Sequence, residues 1–109
     1  MSKTYELRWT SNAKDDLLNL VEYIKRDSPT AANEVYLIIR KAAESSNFFP
    51  LKGRVVPELQ KEGITIYREV IATPWRVIYK VGVDTVYILA ILDSRQNVEE
   101  LLLQKLLRS

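Results

Sequence analysis

The sequence contains no cysteine and no histidine among its 109 residues. Without them there can be no disulfide scaffold, no Cys/His zinc site, no thiol or imidazole nucleophile and no imidazole general base. Glycine occurs three times and proline four times, while hydrophobic residues make up 47% and charged residues 28%. That balance excludes fibrous and low-complexity chains and is globular in kind. The longest unbroken apolar run, Val86 to Leu92, falls far short of the roughly 18 residues that a membrane span needs. The opening MSKTYELRW lacks the apolar stretch of a signal peptide, so a cytoplasmic location with no membrane partner is expected. No phosphate loop, dinucleotide fingerprint or metal-ligand cluster is present, so neither metal nor cofactor is expected. At this length, residues 1–109 should form one domain.

Sixteen Lys and Arg against fourteen Asp and Glu leave a net charge of only +2. The halves differ in how that surplus is placed. Residues 1–51 carry seven basic and seven acidic side chains, and residues 52–96 carry seven and five. The excess therefore lies with Lys52, Arg54, Lys61, Arg68, Arg76, Lys80 and Arg95. Such a cluster can attract a polyanion, or it can be an ordinary solvated face.

Tyr5, Leu7 and Trp9 alternate with Glu6 and Arg8, the period of a half-buried strand. Thr10, Ser11 and Asn12 offer capping oxygens, after which Ala13, Leu17, Leu20, Val21 and Ile24 recur at helical spacing. Ser28 and Pro29 then open a second helix with a stripe of Ala31, Val35, Ile38 and Ala42. So short a link predicts an antiparallel helical hairpin laid on a sheet. From Asn47 to Gly63 the periodicity fails, which predicts a long loop. Ile64 to Ala72, Trp75 to Val81 and Thr85 to Leu92 read as three strands of an antiparallel meander, and a leucine-rich helix follows Asn97. The fold class is α+β in the order β-α-α-β-β-β-α.

Within this frame Arg68 falls mid-strand, Arg76 near the start of the next strand and Arg95 just past the third. A register bringing Arg68 diagonally close to Arg76, with Arg95 curving in, would gather three guanidiniums around one anion such as phosphate. The competing reading pairs each with a carboxylate: Arg68 with Glu69 or Glu58, Arg95 with Asp93, and Arg54 with Glu58 or Glu62. Neighbours on a strand point to opposite faces, which weakens only the Arg68–Glu69 pairing. Tyr67, Trp75, Tyr79 and Tyr87 could stack bases or fill a core. Asp15-Asp16 and Glu99-Glu100 diverge around their helices and are expected to be solvated.

FPLKGRVVPEL at Phe49 to Leu59, YREV at Tyr67 to Val70, WRVIYKV at Trp75 to Val81 and VYILAILDSRQ at Val86 to Gln96 follow the helical hairpin in order. This arrangement resembles the RelE/ParE toxin superfamily of bacterial type II toxin–antitoxin modules over nearly the whole chain. RelE-type members cut mRNA in the ribosomal A site with a cluster of Lys and Arg, often aided by a late Tyr or a His. ParE-type members poison DNA gyrase. The resemblance implies catalytic roles for Arg68, Arg76 and Arg95 if the protein is a nuclease, and target or antitoxin contacts for Lys52, Arg54, Arg68, Trp75, Arg76 and Arg95. Val70 replaces a second strand cation, no His is present and no Tyr follows Tyr87, so a near-neutral acid–base group is missing. Arginine cannot supply it, because it stays charged.

The GRVVPEL loop and the REV strand are closer to the ParE-type branch, which implies a gyrase inhibitor neutralised by a cognate antitoxin. The alternatives are a ribosome-dependent mRNA endonuclease and an inert relative on the same fold. The surplus leucines of the last helix would serve an antitoxin groove, core packing or a homodimer equally well. On this reading Arg76→Ala should lower toxicity without unfolding the domain, whereas Trp75→Ala or Leu89→Ala should cost roughly 2 to 5 kcal/mol of stability.

Overall fold

A computed structural model describes residues 4–108. The chain runs β1 (Glu6–Trp9), α1 (Ser11–Lys25), α2 (Pro29–Phe48), β2 (Arg54–Val55), α3 (Pro57–Gln60), β3 (Tyr67–Ala72), β4 (Trp75–Val81), β5 (Thr85–Asp93) and α4 (Val98–Arg108). The five strands form one sheet in the order β1-β5-β4-β3-β2. β1 joins β5 in parallel and the remaining pairs are antiparallel, so the sheet is mixed. The expected meander is β3-β4-β5, and its first strand begins at Tyr67, three residues later than the composition suggests.

Of the three candidate caps for α1, Thr10 does the work. Its Oγ1 accepts from Ala13 N at 3.2 Å and donates to Ile88 O at 2.9 Å, tying the helix start to the sheet. Ser28 Oγ caps α2 by accepting from Ala31 N at 3.1 Å, and Pro29 occupies the first turn, where no N–H is needed. The α1–α2 hairpin covers one sheet face with Ala13, Leu17, Ile39 and Ala43 packed on Val77, Tyr79, Val86, Ile88 and Ile91. On the other face α3 and α4 set Leu59, Val98 and Leu102 against Ile78, Ala90 and Leu92. Both faces of β4 and β5 are thus covered, which is why Val86 to Leu92 can be continuously apolar.

β5 carries a bulge. Ile78 pairs with Ala90 and Tyr79 with Ile88, leaving Leu89 as the extra residue. The bulge switches face parity, so Val86 and Ile88 lie in the same cluster as Ile91, while Ala90 and Leu92 lie in the other. Its backbone is satisfied from α1: Asn12 Nδ2 donates to Leu89 O at 2.8 Å and Ile91 N donates to Asp16 Oδ2 at 3.0 Å. Asp16 also pairs with Lys105 of α4. It is therefore mostly buried and bonded, whereas the sequence had it solvated, because the bulge leaves an amide that only a side-chain acceptor can reach. Most of the last helix's leucine surplus is likewise accounted for, since Leu102 is buried and Leu101 and Leu106 pack on the second cluster. Among the described residues, no helix is long and apolar enough to cross a membrane.

Candidate functional site

The three arginines singled out by sequence occupy separate surroundings, and the hairpin register explains why. The β3–β4 turn closes on Ala72 opposite Trp75, which sets Ile71 against Arg76 and Arg68 against Tyr79. Tyr79 lies three residues from Arg76 and so points to the opposite face, and Arg68 goes with it. The expected diagonal approach of Arg68 to Arg76 does not form. Arg95 lies beyond β5, beside the Asp93 that pairs with Trp75, about four strand residues or roughly 13 Å from the Tyr79 position. The three guanidiniums do not converge on one anion.

Arg76 instead anchors a closed charge network on the α3 side of the sheet. Its Nη1 and Nη2 donate to the two carboxylate oxygens of Glu58 at 2.8 and 2.7 Å, and its Nε donates to Glu69 Oε1 at 2.6 Å. Arg54 Nε takes the other oxygen of Glu69 at 2.5 Å. The Arg76 and Glu69 side chains are only 5% and 0% exposed. Two guanidiniums and two carboxylates sum to zero, and each of the three nitrogens of Arg76 donates to a carboxylate oxygen. The network fixes α3 to the sheet through Glu58 and fixes β2 through Arg54. Such a cluster holds the loop in place and occupies the Arg76 guanidinium, while Arg54 remains at the exposed edge.

Sequence reasoning missed the pairings of Glu58 and Glu69 with Arg76. Face parity carried the signal for Glu69, since Glu69 and Arg76 share a side once Ala72 faces Trp75. Glu58 had no such signal, because it sits on a four-residue helix inside a segment without periodicity.

The bidentate contact of Arg76 holds the Glu58 carboxyl below its ordinary value, against burial, which pushes it up. A depressed folded value gives stability that is complete at neutral pH. It fades as the pH drops below the ordinary value of 4.5 and through the depressed one. Urea midpoints at about pH 7 and about pH 3 should therefore fall more for the wild type than for Glu58→Gln. Equal drops would show that Glu58 does not couple to folding.

The remaining expected residues lie elsewhere. Arg68 Nη1 donates to Gly53 O at 2.8 Å and Leu51 O at 3.4 Å, so it supports the turn before β2. Tyr79 is buried in the core and its hydroxyl reaches the same turn, donating to Pro50 O at 2.6 Å and accepting from Gly53 N at 3.1 Å. It is a core anchor, unavailable to stack bases, and burial raises its pKa. Lys52 is exposed, its ammonium 5.8 Å from the Phe49 ring centroid. Arg95 is 70% exposed and bidentate on Asp93 through Nε and Nη2 at 2.9 and 2.6 Å. With half-buried Trp75 it lines an open groove between α1 and α4. Among the described residues, Lys52, Arg68 and Lys80 have no carboxylate partner. Lys52 and Arg68 flank one turn and concentrate cationic potential there.

Comparison with known proteins places this geometry. The family model described as the ParE toxin of the type II toxin–antitoxin system, parDE, matches residues 7–98. The chromosomal ParDE TA system from P. aeruginosa is a similar solved structure, with TM-score 0.67 and 19% identity over 83% of this chain and 96% of the other. The toxin–antitoxin complex RelBE2 from Mycobacterium tuberculosis is also similar, with TM-score 0.58 and 22% identity over 85% of this chain and 94% of the other. At these identities the structural likeness establishes the fold. No match arises among curated protein sequences.

Proposed function

Because this chain belongs to the ParE toxin family of type II toxin–antitoxin systems, we propose that it arrests growth by binding DNA gyrase, that it cuts no RNA, and that a cognate antitoxin neutralises it. The observation that carries this reading is the closure of Arg76 by Glu58 and Glu69. A nuclease built on arginines needs donors free to meet the charge that develops on a phosphate, and a proton carrier of near-neutral pKa. Here the central guanidinium is already neutralised, Arg68 and Arg95 lie apart from it, and there is no histidine. A protein that acts by occupying a site on a large enzyme needs neither donor nor proton carrier. It needs a rigid surface.

The antitoxin part of the proposal is supported by the similar solved structures, which are toxin–antitoxin assemblies. An open cleft lined by Trp9, Leu17, Leu18 and Tyr36, with Leu18 exposed, offers apolar area that such a partner could cover.

The test uses purified protein with gyrase holoenzyme, relaxed plasmid and ATP, beside a translating extract carrying a reporter mRNA. The expected result is lost supercoiling or a trapped cleavage complex, with the mRNA intact. Unaltered supercoiling together with cleavage in the ribosomal A site would overturn the proposal in favour of the endonuclease.

A further inference from the structure

The turn between α2 and β2 combines two properties that rarely coincide. Its side chains are apolar and exposed, Phe49 at 61% and Leu51 at 70%, yet interior groups hold its backbone. Tyr79 grips Pro50 and Gly53, Arg68 grips Leu51 and Gly53, and Phe49 N and Lys52 N donate to Ser45 O and Phe49 O at 3.3 and 3.0 Å. With the backbone already pinned, binding has only the Phe49 and Leu51 side-chain rotamers left to order, so the turn is largely preorganised for contact.

The surroundings narrow the kind of partner. Arg54 and Arg76 are neutralised by Glu58 and Glu69, whereas Lys52 at the rim and Arg68 beneath it have no carboxylate among the described residues. Beside Phe49 an open cleft of about 270 Å³ is floored by Gly53, Val70 and Ile71. β2 ends after two residues, so β3 has no β2 partner at Ile71, two places beyond Glu69 on the same edge. Two cations without carboxylate partners are too few to track a phosphate backbone, and the Leu51 side chain gains nothing from phosphates. They suit a protein surface with an apolar depression edged by carboxylates.

Resting on the toxin reading above, we propose that Phe49 and Leu51 form the contact by which this chain seizes its target. They enter an apolar pocket on a protein, and Lys52 and Arg68 meet carboxylates at the pocket's edge.

Leu51→Ser, Phe49→Ser and Lys52→Glu test this with gyrase holoenzyme as the probe. Because these side chains are exposed, each variant should melt within about 3 °C of the wild type. Each should need at least about tenfold more protein for half-inhibition of supercoiling. Folded Leu51→Ser and Phe49→Ser proteins that inhibit at the wild-type concentration would overturn the proposal. If the wild type leaves gyrase untouched but arrests growth, the gyrase reading fails alone and growth arrest becomes the readout. Arrest lost in Leu51→Ser then supports the Phe49–Leu51 contact, and arrest retained overturns it. A wild-type chain that does neither overturns both proposals.

Discussion

Arg76→Ala is expected to destabilise the protein by about 3 to 5 kcal/mol, the range for removing one partner of a buried ion pair. The loss follows from what stays behind. Glu69 is fully buried and would keep only Arg54, leaving its second oxygen without a donor, and Glu58 would lose both of its guanidinium bonds. This replaces the sequence-based expectation that Arg76→Ala lowers toxicity in an intact fold. Arg95→Ala is the matched control. Its ion pair with Asp93 is exposed on the arginine side, so its loss should leave stability close to that of the wild type. Urea unfolding of both variants checks the contrast, and comparable small effects would show that the Arg76 network contributes little.

Gly53→Ala should be nearly as damaging, by about 3 kcal/mol, at the upper end of the cost of overpacking. A Cβ there would lie 2.3 Å from Tyr79 Oη and 2.6 Å from the Glu69 carbonyl oxygen. The glycine is needed for this close approach, which lets the turn dock against β3 and the core tyrosine together. Tyr79→Phe removes only the first clash, so it should not rescue Gly53→Ala. Thermal melting of the two single variants and the double variant measures this, and full rescue would locate the constraint in the hydroxyl alone.

Elements whose residues share one period were legible in the sequence. The α1 stripe, the capping residues of α1 and α2 and the three meander strands emerge from spacing, because their apolar faces meet a regular surface, whereas the α2 stripe lies one position later than Ala31, Val35, Ile38 and Ala42: Ala32, Ile39 and Ala43 are buried and Ile38 is exposed. The parallel pairing of β1 with β5 was not legible, since it joins opposite ends of the chain and no turn chemistry records it. The Leu89 bulge was hidden inside a run apolar on both faces, where alternation carries no information. β2 and α3 are too short to show a period, and they form because Arg54 and Glu58 are fastened to Glu69 and Arg76.

For the site, the residue types were visible and their partners were not. Arg68, Arg76 and Arg95 look equivalent in the chain, each on or just past a strand and each cationic. A single register separates them, sending Arg76 to one face and Arg68 to the other. Of the pairings weighed from sequence, Arg95 with Asp93 is present, whereas Arg54 joins Glu69 and Arg68 takes backbone carbonyls. Adjacent-residue reasoning finds the first because Asp93 is two residues away. It cannot find the others, because they depend on strand pairing and on where an aperiodic segment lands.

Replacing the network itself is the most direct measurement. Arg76→Met, Glu69→Leu and Glu58→Gln in one chain remove the buried charges together, so no carboxylate is stranded, and Arg54 is left at the solvent-exposed edge. If Arg76 and its carboxylates serve only to hold α3 and β2 on the sheet, a triple variant that unfolds cooperatively should arrest growth within about threefold of the wild type. A cooperatively folded triple variant that has lost growth arrest would contradict that, and would return Arg76 to the functional surface.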